Sequence, residues 1–147
     1  MNWRLDGAYS LVLRRDPNDL ATVVKICLVA GLQERFCIGL CLLKERLIDK
    51  LDLVSTDGGH VIRVQRAVQV TSVQLGRAKT VLTLHEVELE RWQYFTLRAV
   101  RDGAAEVDHF DVDAILEGGT NVATVTVAFP SSVPPVSPEE ARRRLGL

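Results

Sequence analysis

Cys37 and Cys41, four residues apart in FCIGLCLLKERL, are the first side chains whose type and spacing suggest chemistry. On a helix they would share a face one turn apart. A structural zinc site needs four ligands in tetrahedral array, built from CxxC pairs or a CxxC with a histidine pair. The CxxxC spacing fits neither that pattern nor a thioredoxin-like CxxC, and the histidines are distant in sequence. Phe36, Ile38, Leu40 and Leu42 surround the thiols with apolar groups. The expectation is therefore two small buried hydrophobes.

Three histidines remain. His60 follows Gly58-Gly59 and reads as an exposed turn residue at a strand start. His85, in LTLHEVELE, alternates with Val81, Val87 and Leu89 and reads as partly buried. His109 has more potential, because on a strand it would point the same way as Asp111 and Asp113. An imidazole with two carboxylates could hold a divalent cation or form an acid/base pair. It is also the composition of a solvent-facing strand guarded by acidic residues, and a lone strand offers no cleft. That second account is preferred, with His109, Asp111 and Asp113 kept as candidate partner contacts. There is no GxSxG elbow and no GxGxxG or GxxxxGK[ST] loop. The expectation is a chain without a catalytic constellation, cofactor or metal.

Trp92 and Tyr94 fall together with Thr96 and Arg98 if RWQYFTLRAV is a strand. Such a face could stack on bases or form a contact hot spot, or equally cover a second apolar layer. Near the C-terminus, SSVPPVSP reads as an extended linker. Ser137-Pro138-Glu139-Glu140 then opens a short helix carrying Arg142 and Leu145. That helix is expected either to fray in solvent or to lay Arg142, Leu145 and Leu147 on a partner.

The elements that must position these groups change character near Ser55-Thr56-Asp57-Gly58-Gly59, a segment with turn chemistry. Before it, a short strand is expected around Ala8–Arg14. Asp16-Pro17-Asn18-Asp19 has the composition of a helix start. Leu20, Val23, Val24, Cys27 and Ala30 then follow at helical steps, with Gly31 as a stop or kink. A second helix is expected from Gln33 to Leu51 on the stripe Phe36, Leu40, Leu43, Leu47 and Leu51. The rival for Thr22–Val29 is a buried strand, but the cap sequence favours helix. After the turn, the chain reads as strand after strand: HVIRVQRAVQVTSVQL, KTVLTLHEVELE, RWQYFTLRAV, EVDHFDVDAIL and NVATVTVAF. The predicted fold is α+β, an antiparallel meander of about five strands packed on an N-terminal helical pair, with a short N-terminal strand at an edge. Residues 1–130 form one domain and residues 131–147 a proline-rich linker with a helical tail. No internal repeat is evident.

Composition sets the outer bounds. A chain of 147 residues that is 47% hydrophobic and 25% charged can bury a core in a single domain. A formal net charge of −1 argues against an electrostatically driven nucleic-acid binder. Lys25, Glu34 and Arg35 interrupt the most apolar stretch, Leu20 to Leu43, so membrane insertion is not expected. Three cysteines and a leaderless N-terminus point to a reducing, cytoplasmic setting.

Three functions follow. The first is a non-catalytic interaction module or assembly subunit, with a protein partner or self-association. The second rests on element order: strand, helix, then antiparallel strands resembles the hot-dog folds, although Gly31 interrupts the helix. That resemblance implies a small enzyme acting on acyl thioesters, with the Asp16–Asp19 helix start polarising a carbonyl. The third is a nucleic-acid binder, because helices followed by LDLVSTDGGHVIRV resemble a winged helix, although the long meander exceeds a wing.

Overall fold

The computed structural model describes residues 2–15, 22–102, 109–117 and 121–129, together with Glu139, Arg142, Arg143 and Gly146. Eight strands close into a barrel, and two helices interrupt the strand sequence. The elements are β1 (Asn2–Arg15), β2 (Thr22–Leu28), α1 (Gln33–Lys44), β3 (Lys50–Ser55), β4 (Val61–Arg66), β5 (Ser72–Gln74), β6 (Lys79–Leu84), α2 (Glu86–Asp102), β7 (His109–Leu116) and β8 (Val122–Ala128). Around the barrel the strands run β1-β2-β8-β7-β5-β6-β4-β3, with parallel and antiparallel neighbours mixed.

This corrects the five-strand meander on a helical pair. The segment expected as a first helix is β2, whose Thr22, Val24, Ile26 and Leu28 are all buried. A period of two and four β-branched residues outweigh the cap chemistry upstream. Asp16–Asp19 lie outside the described residues. The first strand is not short, because its 14 residues pair with β3 at one end and β2 at the other. The register shifts between Leu5 and Tyr9, where Gly7 takes φ +61°, so the strand bends without steric cost. RWQYFTLRAV, expected as a strand, belongs to α2, so Trp92 and Tyr94 do not share a face. HVIRVQRAVQVTSVQL divides into β4 and β5. The strands expected around His109 and Val125 are present as β7 and β8.

The pairings repeat. In the first half β1 pairs antiparallel with β2 and parallel with β3, which pairs antiparallel with β4. In the second half β5 pairs antiparallel with β6 and parallel with β7, which pairs antiparallel with β8. Two parallel seams, β2 with β8 and β4 with β6, join the halves. The barrel is thus two ββαββ units related by a half-turn about its axis. Sequence similarity between the units is too low to show as a repeat.

Strand directions place both helices at one end. β2 and β6 run into α1 and α2, and β3 and β7 leave them, so the hairpin loops occupy the opposite end. The helices meet inward-pointing groups there. Trp92 lies edge-on to Phe110, with ring centroids 5.1 Å apart, and Phe36 lies 6.4 Å from Trp92. A Cβ on Gly39 would stand 2.8 Å from a Leu51 methyl, so any larger residue there would push the Leu51 side chain aside. The barrel interior is filled by Ile26, Leu53, Ile62, Val64, Leu82, Val112, Val125 and Val127, all buried. The barrel is a packed core closed at one end by helices.

α1 stops at Lys44, short of the expected Leu51, in a Schellman turn. The Leu47 amide donates to the Leu42 carbonyl and the Arg46 amide to the Leu43 carbonyl. Arg46 takes the left-handed position at φ +62°, where glycine is usual.

Candidate functional site

The end of the barrel closed by the helices gathers most of the groups that could meet another molecule. α2 is two-faced. Leu89, Trp92, Thr96 and Ala99, spaced three, four and three apart, are buried against the barrel. On the opposite side Val87, Tyr94 and Leu97 are 62%, 55% and 47% exposed. Glu90 and Arg101 extend that outer stripe. An open groove of about 500 Å³ runs beside it, lined by Lys44, Glu90, Arg91, Gln93, Tyr94 and Leu97. Lys44 of α1 lies 3.7 Å from Glu90 across the groove. The Gln93 amide donates to Cys41 Sγ at 2.9 Å, tying α1 to α2 along the groove floor. Ile38, one turn before Cys41, is also exposed. Arg98 stacks over the Tyr94 ring, 5.9 Å from its centroid, which restricts the ring's orientation.

A second cleft of about 570 Å³ lies at the same end, among Lys44, Arg46, Asp49, Arg66, His85 and Glu86. Its charges are mostly occupied in the fold. Arg66 Nη1 donates to the Leu43 and Ile48 carbonyls at 2.7 and 2.8 Å, satisfying the end of α1. His85 Nδ1 accepts from the Val87 amide at 3.3 Å and caps the start of α2. Asp49 and Glu86 oppose the bases, so the cleft has no consistent sign.

The remaining candidates lie apart from this end. His109, Asp111 and Asp113 point outward from β7, as the alternation predicts. The carboxylates are bound to β8: Thr126 Oγ1 donates to Asp111 at 2.6 Å and Thr124 Oγ1 to Asp113 at 3.1 Å. With Lys25, His109 and Asp111 border a shallow depression of the sheet. Among the described residues, no three His, Cys, Asp or Glu side chains are grouped to hold a metal ion. Trp92 is fully buried and cannot act as a surface contact. Tyr94 is exposed on the opposite face of the same helix. Arg142 is exposed, and Leu145 lies outside the described residues. Cys37 is buried, and its thiol is pushed up to about 11, first by burial and then by Cys41.

His60, expected as an exposed turn residue, is buried at the top of β4. The Tyr9 hydroxyl lies 2.6 Å from its Nδ1, and Thr80 Oγ1 lies 3.1 Å from its Nε2. Burial, and secondarily Asp57, raises the Tyr9 pKa, so the phenol stays protonated beside Nδ1. All three groups are satisfied within the wall, so the network reads as a structural tie among β1, β4 and β6.

The α2 stripe was legible as Leu89, Trp92, Thr96 and Ala99 at helical steps, with acids before and a base after them. The aromatic and β-branched composition of RWQYFTLRAV obscured it. Comparisons with family models, with curated proteins and with solved structures find no match to this chain.

Proposed function

We propose that this chain is a protein-binding module whose docking face is the helical end of the barrel, centred on the outer stripe of α2. The partner presents an amphipathic helix that lays apolar side chains against Tyr94 and Leu97. One observation carries the reading: α2 directs Val87, Tyr94 and Leu97 outward beside an open groove, although its other face already provides the packing that closes the barrel. A helix needs one apolar face to hold its place, and a second one is surplus to the fold. Tyrosine held by a stacked arginine is also a side chain that contributes strongly at interfaces.

The hot-dog and winged-helix resemblances rested on an element order that the barrel does not have, so neither supports an alternative. Photo-crosslinking tests the proposal. A photoreactive phenylalanine analogue at Tyr94 should capture a protein in the native host, through a peptide with apolar residues at three- and four-residue steps. The same analogue at Lys25, on the outer sheet, should capture none, and Leu97→Glu should abolish the Tyr94 product. A product at Tyr94 that survives Leu97→Glu, or none at all, would refute the docking face.

A further inference from the structure

The geometry points to a second copy of this chain as the partner, docked through an antiparallel pairing of α2 with α2. The inference rests on the docking face proposed above and specifies what occupies it. Along the exposed side of α2, Glu90, Tyr94, Leu97 and Arg101 recur at steps of four, three and four, the spacing of a coiled-coil seam. This order is self-complementary when reversed. A two-fold axis midway between Tyr94 and Leu97 sets Glu90 opposite Arg101 of the second copy and Tyr94 opposite its Leu97. The same contacts recur on the other side of the axis, as an isologous interface requires. The two central layers are apolar and the two outer layers are ion pairs.

Several features of α2 agree with this arrangement. Glu86, Glu88 and Glu90 lie in the N-terminal half together with Arg91, which pairs with Glu88 inside the helix at 3.5 Å, and Arg98 and Arg101 lie near the C-terminal end, which Asp102 closes. Antiparallel packing therefore sets Glu90 opposite Arg101 at both ends of the contact and opposes the two helix dipoles favourably. Parallel packing would set Glu90 against Glu90 and Arg101 against Arg101. The seam residues are exposed, with the Glu90 side chain 64% accessible. Within its own chain Glu90 also pairs with Lys44 at 3.7 Å.

Charge reversal provides the test, in the full-length protein by sedimentation velocity over a range of concentrations. The unmodified chain should form a dimer that dissociates on dilution. Glu90→Arg and Arg101→Glu should each weaken self-association by roughly tenfold or more, since each sets like charges in both outer layers. Mixing the two single variants should restore dimers, because every outer layer of the mixed pair is again Arg opposite Glu. Circular dichroism and melting temperature would verify that each variant is folded, and Tyr94→Ala gives an uncharged check on the central layers. A monomeric unmodified chain at high concentration would overturn the inference. So would a dimer indifferent to both reversals and to Tyr94→Ala. If the chain is monomeric but Tyr94 still crosslinks to another protein, only the second copy is wrong; if that crosslink is also absent, the docking face itself falls.

Discussion

The polar residues of the β3–β4 hairpin act as one chain. The Asp57 carboxylate accepts from the Ser55 hydroxyl at 2.7 Å and the Gly59 amide at 2.8 Å. Ser55 Oγ in turn accepts from the His60 amide at 3.0 Å, and the His60 ring joins Tyr9 to Thr80. The bond from Ser55, then that from Gly59, holds the Asp57 carboxyl below its ordinary range. The sign for stability follows. A carboxyl with a depressed folded pKa contributes stability above its unfolded value, roughly 4, and loses it as pH falls through the folded value. Asp57→Asn should therefore flatten the decline of the urea midpoint as the pH falls below about 4, relative to the unmodified chain. Parallel declines would show that Asp57 does not drive it. In the sequence only the turn itself was legible, through Asp57-Gly58-Gly59. Nothing local indicates that His60 meets Tyr9, 51 residues away.

At the scale of elements, α2 contains an apparent defect. Among the described residues, Trp92 Nε1 and Thr96 Oγ1 are buried with no hydrogen-bond partner. A buried unsatisfied hydroxyl costs about 1–3 kcal/mol, and valine has nearly the shape of threonine. Thr96→Val should raise stability by roughly 1 kcal/mol in urea unfolding, and a loss of that size would mean the hydroxyl has a partner. The same helix shows why part of the fold was hidden. Trp92, Tyr94, Phe95, Thr96 and Val100 are strand formers by composition, yet Leu89, Trp92, Thr96 and Ala99 keep helical steps. β2 shows the converse: a strong helix start precedes a segment with strand periodicity. In α2 periodicity was the better guide than composition; in β2 the β-branched composition was the better guide than the upstream cap and the helical steps. β7 and β8 were legible because alternation and composition agreed there.

For the whole molecule, barrel closure depends on pairings that no local pattern encodes. β2 meets β8 across roughly 100 residues, and β4 meets β6 only because β5 turns the chain back between them. The two ββαββ halves each bury their inner face only when joined through both parallel seams. Separately expressed residues 1–68 and 69–147 should each be unfolded or aggregated, since each leaves β2 and β4, or β6 and β8, as open edges. Co-refolded, they should recover the circular dichroism of the intact chain. A soluble, cooperatively melting half would show that the halves are independent domains.

Those seams also bear on synthesis. The first half leaves the ribosome with the hydrogen-bonding edges of both β2 and β4 exposed, and β2 waits for the last strand. At 5–20 residues per second, the roughly 60 residues from the end of β4 to the end of β8 take about 3–12 s. During that interval the nascent chain displays two sticky strands and half a core. Slow decoding before β8 should lower soluble yield even though the finished barrel has no edge to offer.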